Sequence, residues 1–263
     1  MLKHFYNDLD YGNLIFLYCC AGFLVMYGLF FLLRRFLPNV IAEDVDSDFI
    51  ASLHAALFTI TFLTLGYSLA NVSETVDKYQ QDVIQETNEL QALDLLLTLY
   101  GTKESDAFRQ DIRKYANSIV EDEWPALSKR HGSDKTLAFQ IKLHSDLSEL
   151  NPASGKELAI YNEALKTINN LTQARSNRIS NSANSLSPLF FLTNNIGYLG
   201  VLIISALMLT QFTWIRFIAL NIQVLSVSFI FASTIVLDNP FKGSDKISPE
   251  QISIFAKSPI TRF

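Results

Sequence analysis

The chain has little of the chemistry that most enzymes and metal proteins display. It carries only two cysteines and four histidines. The cysteines, Cys19 and Cys20, lie together inside an apolar run, so they provide neither a disulfide framework nor a metal cluster. The sequence also lacks a glycine-rich phosphate loop, a His–Glu pair at metal spacing and a nucleophile elbow. We therefore predict that the protein is not an enzyme and has no catalytic residues, no cofactor and no metal site.

Positive charge is also scarce. The chain has 21 basic against 26 acidic residues, a net charge of −5 and a pI near 5.4. A protein that binds nucleic acid must neutralise phosphates with a basic surface, and the sequence has no stripe of lysine and arginine that would do so. We therefore exclude nucleic acid as a partner.

Apolar residues, in contrast, are abundant and clustered. They make up 49% of the chain, with 20 phenylalanines, while only 18% of residues carry charge. Four runs are long enough to cross a hydrocarbon core of about 30 Å, which takes about 20 helical residues; they are 14–33, 49–72, 190–209 and 212–237. The first run lacks a basic leader and a small-residue cleavage site, so we expect a membrane span and not a signal peptide. The lipid bilayer is thus a predicted partner.

The second run has an unusual continuation. Residues 49–72 pass without proline into a polar, heptad-like stretch that ends near Gly101. At about 1.5 Å per residue the apolar part measures roughly 36 Å and the whole helix roughly 78 Å. We predict one helix that begins in the bilayer and ends far outside it.

The segment between the second and third spans has helical periodicity and almost no strand-like alternation. We predict an all-α protein with four transmembrane helices, divided into a first pair (1–72), a helical insert (73–187), a second pair (188–237) and a tail (238–263). Within the insert, one helix is expected over 103–131, disturbed at Trp124-Pro125. Another is expected from a cap at Asp134 to Leu150, and a third from Ala153 or Lys156 towards Ser182, opened by Asn151-Pro152. The Ser- and Asn-rich stretch 175–187 is expected to be a juncture or hinge.

Basic residues near the span ends predict the orientation, because they favour the cytoplasmic side. One side of a four-span topology holds six of them, Lys3, Lys78, Arg175, Arg178, Lys242 and Lys246, and the other side holds Arg34, Arg35 and Arg216. The insert and both termini are therefore predicted to be cytoplasmic.

The second span is patterned at 100° per residue. One stripe is polar and consists of His54, Thr61, Thr64, Ser68 and Asn71. A neighbouring stripe is apolar, with Phe58, Phe62, Leu65 and Leu69, and Gly66 at its margin. Polar groups in hydrocarbon need partners, so the polar stripe should face other helices or water. His54, the intramembrane histidine, fits either an interfacial hydrogen bond or a pore or proton role.

Several motifs carry a resemblance. The stretch 62–70 (FLTLGYSLA), followed by VDKY at 76–79 and IQETNEL at 84–90, is similar to the family of bacterial membrane proteins described as having a bestrophin-like domain. The later stretches 237–243 (LDNPFKG) and 247–250 (ISPE) resemble the closing signature of that family. With two spans, a helical insert and two more spans, the likeness extends over nearly the whole chain from about residue 10.

The resemblance implies a homopentamer around a central ion pathway, which second-span residues narrow to a hydrophobic neck. It places Phe58, Phe62 and Gly66 at the neck, or Tyr67 if the register is shifted, and leaves Thr61, Thr64 and Ser68 to face the adjacent protomer. The implied function is an ion channel of the bacterial inner membrane, whose partners are inorganic ions and copies of the same chain. The alternative is a non-conducting, membrane-anchored interaction or signalling protein.

Animal bestrophins bind calcium through an acidic cluster after the Asn-Pro-Phe segment. Here Lys242 and Lys246 replace most of that acidity, and Asp238 and Asp245 are too few for the six to eight oxygen ligands that calcium takes. We therefore predict no calcium site and assign the Asn-Pro-Phe turn to capping the fourth span. On the cytoplasmic part of the second helix, a solvated or inter-subunit face is expected for three residues, Glu86, Asn88 and Glu89.

Overall fold

A computed structural model describes residues 11–36, 47–183, 186–210, 212–238, 241 and 247–260. Within these ranges the chain is helical and contains no strand, so the all-α prediction is confirmed. Several residues named above lie outside the described ranges, and they are Lys3, Asn239, Pro240, Lys242, Asp245 and Lys246.

Four helices are long and apolar enough to cross a membrane, as predicted. They are α1 (Tyr11–Phe36), α2 (Ser47–Tyr100), α7 (Pro188–Met208) and α8 (Trp214–Leu237). Between α2 and α7 the chain forms α3 (Lys103–Ser118), a π-helical segment (Ile119–Glu123), α4 (Trp124–Leu127), α5 (Asp134–Glu149) and α6 (Gly155–Ala183). Near the C-terminus follows α9 (Glu250–Lys257).

Helix α2 is continuous over 54 residues, which confirms the predicted fusion of a span with a long polar helix. No proline interrupts it, and from His54 to Tyr100 its buried side chains recur at spacings of three, four or seven residues, which keep them on one face of the helix. The helix ends at Gly101, whose φ of +77° lies in the left-handed region that favours glycine. The Gly101 N–H bonds to the Leu97 carbonyl at 3.2 Å and so satisfies one carbonyl of the last turn.

The chain contacts divide it into two compact units. The first unit comprises Met1–Glu74 and Ser185–Asp245 and contains all four spans. Its apolar core lies among α1, α7 and α8, with Met26, Leu202 and Val224 fully buried. A second buried cluster joins α2 to α8 through Leu65, Val227 and Phe231.

The second unit comprises Thr75–Asn184 and Lys246–Phe263. Hydrogen bonds join the part of α2 where this unit begins to the end of α6. The Tyr79 hydroxyl donates to the Asn181 carbonyl, and Asn181 Nδ2 donates to Asp82 Oδ2 at 2.6 Å. The closing helix α9 packs on α3, where the Arg113 guanidinium lies 3.8 Å from the centre of the Phe255 ring. The predicted division into 1–72, 73–187, 188–237 and 238–263 stays a prediction.

The helices of this unit begin at local capping residues, and at two helices the capping residue differs from the predicted one. Thr102 and Ser105 form a reciprocal capping box at the start of α3. Helix α5 is capped by Ser133, which accepts from the Thr136 N–H, and not by Asp134. At α6 the Ser154 hydroxyl accepts from the Glu157 N–H at 3.2 Å, so Asn151-Pro152 precedes the helix and does not cap it.

The predicted disturbance near Trp124-Pro125 is a π-helical segment. Over Ile119–Glu123 the helix widens, and the Trp124 N–H bonds to the carbonyl of Ile119, five residues back. Pro125 lacks an N–H and is tolerated because it falls at the start of the new helix α4. The π segment ends on Glu123, which is fully buried.

Candidate functional site

The polar stripe of α2 lies against α7 of the same chain. His54, Thr61 and Ser68 are buried, with exposures of 4%, 1% and 1%. His54 Nε2 lies 3.0 Å from Ser205 Oγ, and Asn194 Nδ2 donates to Ser68 Oγ at 2.9 Å. The stripe therefore joins two spans of one chain through side-chain hydrogen bonds.

Glycine on α7 makes this approach close. A Cβ added at Gly197 would lie 2.8 Å from Thr61 Oγ1, closer than side chains tolerate. Because α7 of the same chain covers Thr61 and Ser68, the expectation that they face an adjacent protomer is wrong. Thr64 is half-buried and donates to the Thr61 carbonyl at 3.0 Å, and Asn71 is exposed.

The residues predicted for the neck occupy two different environments. Phe58 is partly buried against the cluster of Leu65, Val227 and Phe231. Phe62 is 39% exposed, and a Cβ added at Gly66 would meet no atom within 4 Å. Phe62 and Gly66 thus lie on a face of α2 that no other described part of the chain covers.

The aromatic rings of this region form a short ladder along α2. The His54 and Phe58 rings are stacked with their centres 6.4 Å apart, and the Phe58 and Phe62 rings are 5.7 Å apart. Phe58 therefore supports the Phe62 ring from behind. Tyr67, the residue at the neck in a shifted register, is 61% exposed and packs on Phe190 at 5.8 Å. At 100° per residue it projects about 140° away from Phe62.

The uncovered surface of α2 separates small from bulky residues. Within one arc of the helix lie small side chains that we call the small face, namely Ser52, Ala55, Thr59, Gly66, Ala70 and Ser73. Phe62 borders this arc on one side. On its other side lie the bulky, exposed Leu53, Ile60 and Tyr67. Small residues permit close helix contacts in membranes, whereas bulky apolar side chains suit lipid.

The second unit contains a buried network of charges. Arg178 donates to Glu86 through Nε (2.6 Å, to Oε2) and Nη2 (3.2 Å, to Oε1). The Tyr115 hydroxyl also donates to Glu86 Oε1, at 3.2 Å. Arg175 donates through Nε to Glu123 Oε2 at 3.0 Å and through Nη1 to Gln140 Oε1 at 2.9 Å. The network ties α2, α3, the π segment, α5 and α6 together.

One prediction fails here, and a second holds only in part, because the boundary between the two units falls within 175–187 as a juncture would. Glu86 is completely buried, so it has no solvated face; Asn88 is exposed and Glu89 half-buried. The stretch 175–187 is not a hinge in its first part, because α6 continues to Ala183 and Arg175 and Arg178 are held by buried carboxylates. The burial of Glu86 could have been predicted from its position, because it lies on the same i+3/i+4 stripe as Tyr79, Val83, Leu90 and Leu93.

Burial is the largest single influence on the pKa values of Tyr115, Glu123 and Arg178. It raises the pKa of the Tyr115 hydroxyl well above its ordinary value, and the neighbouring Glu86 carboxylate raises it further. Burial also raises the pKa of Glu123 against the opposing effect of Arg178 and Arg175. For Arg178, burial lowers the pKa, but Glu86 and Glu123 outweigh it and the net shift is upward. Tyr115 therefore stays protonated and donates, and Arg178 stays charged, as a structural clamp requires.

Metal ligands do not gather anywhere within the described ranges, where no three His, Cys, Asp or Glu side chains come together. Cys19 and Cys20 are free thiols. In the calcium region of the resemblance, Asp238 Oδ1 accepts from the Leu186 N–H at 2.6 Å and so holds the start of α7. Phe241 in the same region is buried.

Comparison with curated proteins and with solved structures gave no match. A comparison with protein families matched residues 20–252 to the Bestrophin-like domain. This range begins inside α1 and ends inside α9, and it includes the whole of α2, α7 and α8 and most of the second unit. With its four apolar helices and this match over most of its length, the chain is a membrane protein that belongs to the Bestrophin-like family.

Proposed function

We propose that the protein is a homo-oligomeric ion channel in which α2 of each protomer faces a central pathway. The observation that carries this proposal is the exposed side of α2, where a Cβ added at Gly66 of the small face would meet no atom within 4 Å and Phe62 is 39% exposed. Family membership supports the proposal, because the resemblance implies a pentamer around an ion pathway.

The two features have separate physical roles in such an assembly. The small face would let copies of α2 approach one another closely, since van der Waals packing of small residues drives helix association in lipid. A ring of Phe62 side chains would form a constriction from which water withdraws, and such a constriction controls ion flow. We narrow the proposed neck to Phe62 and Gly66, with Phe58 behind them, because Phe58 packs on the apolar cluster.

We further propose that the channel lies in the bacterial inner membrane with its insert and termini in the cytoplasm. Lys78, exposed just beyond the second span, supports this orientation. Arg175 and Arg178 are engaged in buried ion pairs and so have a structural role in addition to any topogenic one. Arg34 and Arg35 are exposed at the last turn of α1, where long side chains can reach headgroups.

The test is conductance after reconstitution into planar bilayers, together with the mass of the purified particle. Phe62→Ala would remove the phenyl groups that form the proposed constriction. We therefore expect a larger conductance or weaker ion selection, with an unchanged particle mass. Phe16→Ala on α1 is the matched control, because Phe16 is 70% exposed and has no place in the proposed pathway. A monomeric wild-type particle, or an oligomer whose currents are the same in Phe62→Ala and wild type, would contradict the proposal.

A second function has its own observation. The second unit exposes apolar side chains, with Leu95 and Leu99 one turn apart on α2 at 52% and 53% exposure. Such a pair fits a protein contact, either with another copy or with a different partner. A reconstituted oligomer that never conducts would favour the non-conducting interaction protein.

A further inference from the structure

The first unit contains a cavity between the beginning of α7 and the end of α8. Its volume is about 300 Å³, at the lower end of the range for small-molecule sites. Most of its wall is apolar, with Phe191 from α7 and Phe231 and Ile235 from α8. Three polar side chains interrupt this wall, Asn194, Thr234 and Asp238.

Asn194, which lines this cavity, has a buried acceptor without a partner among the residues described. It is 2% exposed, and its Oδ1 accepts no hydrogen bond from any described residue. The orientation of its amide is fixed by Ser68, whose hydroxyl already donates to the Thr64 carbonyl at 2.9 Å and can only accept from Asn194. Nδ2 therefore points to Ser68, and Oδ1 is left in need of a donor. A buried acceptor without a partner is costly, so a ligand that donates to it would be favoured.

The other two polar groups also accept. The Thr234 hydroxyl donates to the Ile230 carbonyl at 2.9 Å, so towards a ligand it offers lone pairs. The Asp238 carboxylate accepts from the Leu186 N–H through Oδ1, and Asp238 is the one acidic residue that lines the cavity among the residues described. The cavity thus combines three acceptors, one of them anionic, with an apolar wall.

We propose that this cavity binds a primary ammonium compound with a short apolar body. An ammonium group has three donors and no acceptor, which matches Asn194, Thr234 and Asp238. Its positive charge is complementary to the Asp238 carboxylate, and charge-assisted hydrogen bonds are the stronger class. The apolar body would pack on Phe191 and Phe231, away from water.

The same chemistry has two sources at a membrane. One is a free alkylamine, and the other is the ethanolamine headgroup of a phospholipid, whose acyl chains would supply the apolar part. The proposal concerns the ammonium group that both share, and it does not depend on conduction by α2.

The test is calorimetric titration of the purified full-length protein with hexylammonium, hexanol and hexanoate. These probes share one apolar chain and differ in charge and donors. We expect hexylammonium to bind the wild type at least roughly tenfold more tightly than hexanol, the ratio expected when a charge-assisted bond is lost, and hexanoate not to bind. Equal binding of hexylammonium and hexanol would overturn the proposal without any variant.

Two variants with matched controls locate the site. Asp238→Asn should weaken hexylammonium roughly tenfold or more, whereas Asp48→Asn should not, because Asp48 lies 20 residues before Ser68, about 30 Å along α2. Asn194→Leu removes Oδ1 and the bond to Ser68 together, and Ser68→Ala removes only that bond. Weaker binding in Asn194→Leu but not in Ser68→Ala supports the site, and unchanged binding in both Asp238→Asn and Asn194→Leu overturns it.

The source of the ammonium is separated by repeating the titration in nanodiscs. In discs of phosphatidylcholine alone the site would be open to hexylammonium. If phosphatidylethanolamine added to the discs weakens the titration in the wild type but not in Asp238→Asn, the lipid headgroup occupies the cavity. If hexylammonium binds equally in both kinds of disc, a free amine is the ligand.

Discussion

Arg178 and Glu86 are joined side chain to side chain by two hydrogen bonds, of 2.6 and 3.2 Å, with neither residue exposed to solvent. The pair links α6 to α2 across 92 positions of the sequence. Breaking a buried pair by removing one partner leaves a charge without compensation, whereas replacing both partners by apolar residues is often neutral. This asymmetry makes the clamp testable.

We expect Glu86→Gln to lower the free energy of unfolding of the second unit by up to about 3 to 5 kcal/mol, because Arg178 would remain charged and buried with Glu123, at 3.6 Å, left as its counter-charge. Urea unfolding can be followed by the fluorescence of Trp124, whose ring lies 5.5 Å from the Arg178 guanidinium, in a Trp214→Phe background. Glu89→Gln, three residues further along α2 and half-buried, should change stability little. A double variant, Glu86→Leu with Arg178→Met, should recover part of the loss, and a double variant less stable than Glu86→Gln would contradict this interpretation.

A second prediction concerns pH and Asp111. Its burial raises the pKa of the carboxyl, but hydrogen bonds from Lys114 (2.7 Å) and Lys142 outweigh burial, so the pKa lies below the ordinary 3.8. A lowered carboxyl pKa adds stability above the unfolded-state pKa, and this stability is lost as the pH falls through the folded-state pKa.

Asp111→Asn should therefore cost up to about 1 kcal/mol at pH 7, the scale of pairs with exposed lysines, and progressively less below pH 3.8. The measurement is the difference in unfolding free energy between wild type and variant at each pH. Asp77→Asn, an exposed carboxyl, is the control. A difference that grows as the pH falls would contradict the assigned direction.

A third prediction tests the close contact of α2 and α7. In Gly197→Ala the new methyl would lie 2.8 Å from Thr61 Oγ1 and 3.1 Å from Cγ2, and the β-branched Thr61 has little freedom to move. We expect a loss of about 1 to 3 kcal/mol, typical of overpacking, measured as a lower midpoint of thermal unfolding in detergent. Gly28→Ala on α1, with no atom within 4 Å of the new Cβ, should be tolerated. Equal midpoints for Gly197→Ala and wild type would show that the helices separate at no cost.

A fourth prediction tests the orientation. In a chain with Cys19 and Cys20 replaced by alanine, Glu163→Cys places one thiol on α6, where the native side chain is 56% exposed. An impermeant maleimide should leave this thiol unlabelled in intact cells and label it after the cells are opened. Labelling in intact cells would place the insert outside.

Much of the fold could be predicted because hydropathy and helix periodicity are local properties. The spans around residues 14–33, 49–72, 190–209 and 212–237 follow from run length alone. Helices α1 and α2 contain the first two runs, and α7 and α8 match the last two to within two residues at each end. The continuity of α2 follows from the absence of proline and glycine between the apolar and heptad-like parts, with Gly66 the one exception. Each of these features is determined by residues that are close together in the sequence.

The contacts between helices could not be predicted in the same way. A polar stripe predicts that Ser68 has a hydrogen-bond partner but does not identify it, so an adjacent protomer was a possible choice. The partner is Asn194 of the same chain, 126 positions away. For Glu86 the charge predicts a solvated or inter-subunit face, although the residue lies on the buried stripe. Its pairing with Arg178 and Tyr115 explains why it is buried. The cavity at Asn194 and Asp238 depends on the packing of α7 against α8, for which no sequence motif exists.

The bond from Tyr79 to Asn181 bears on the order in which the chain folds. It joins residues 102 positions apart, so once the second unit has formed, a long connection between the second and third spans acts as a short one. Closing a flexible loop costs about (3/2)RT ln n, and shortening the path between Ser68 and Asn194 from 126 positions to about 24 saves roughly 1.5 kcal/mol. Folding of the second unit would thereby lower the entropic barrier to pairing α2 with α7, beginning with the contact of Ser68 with Asn194.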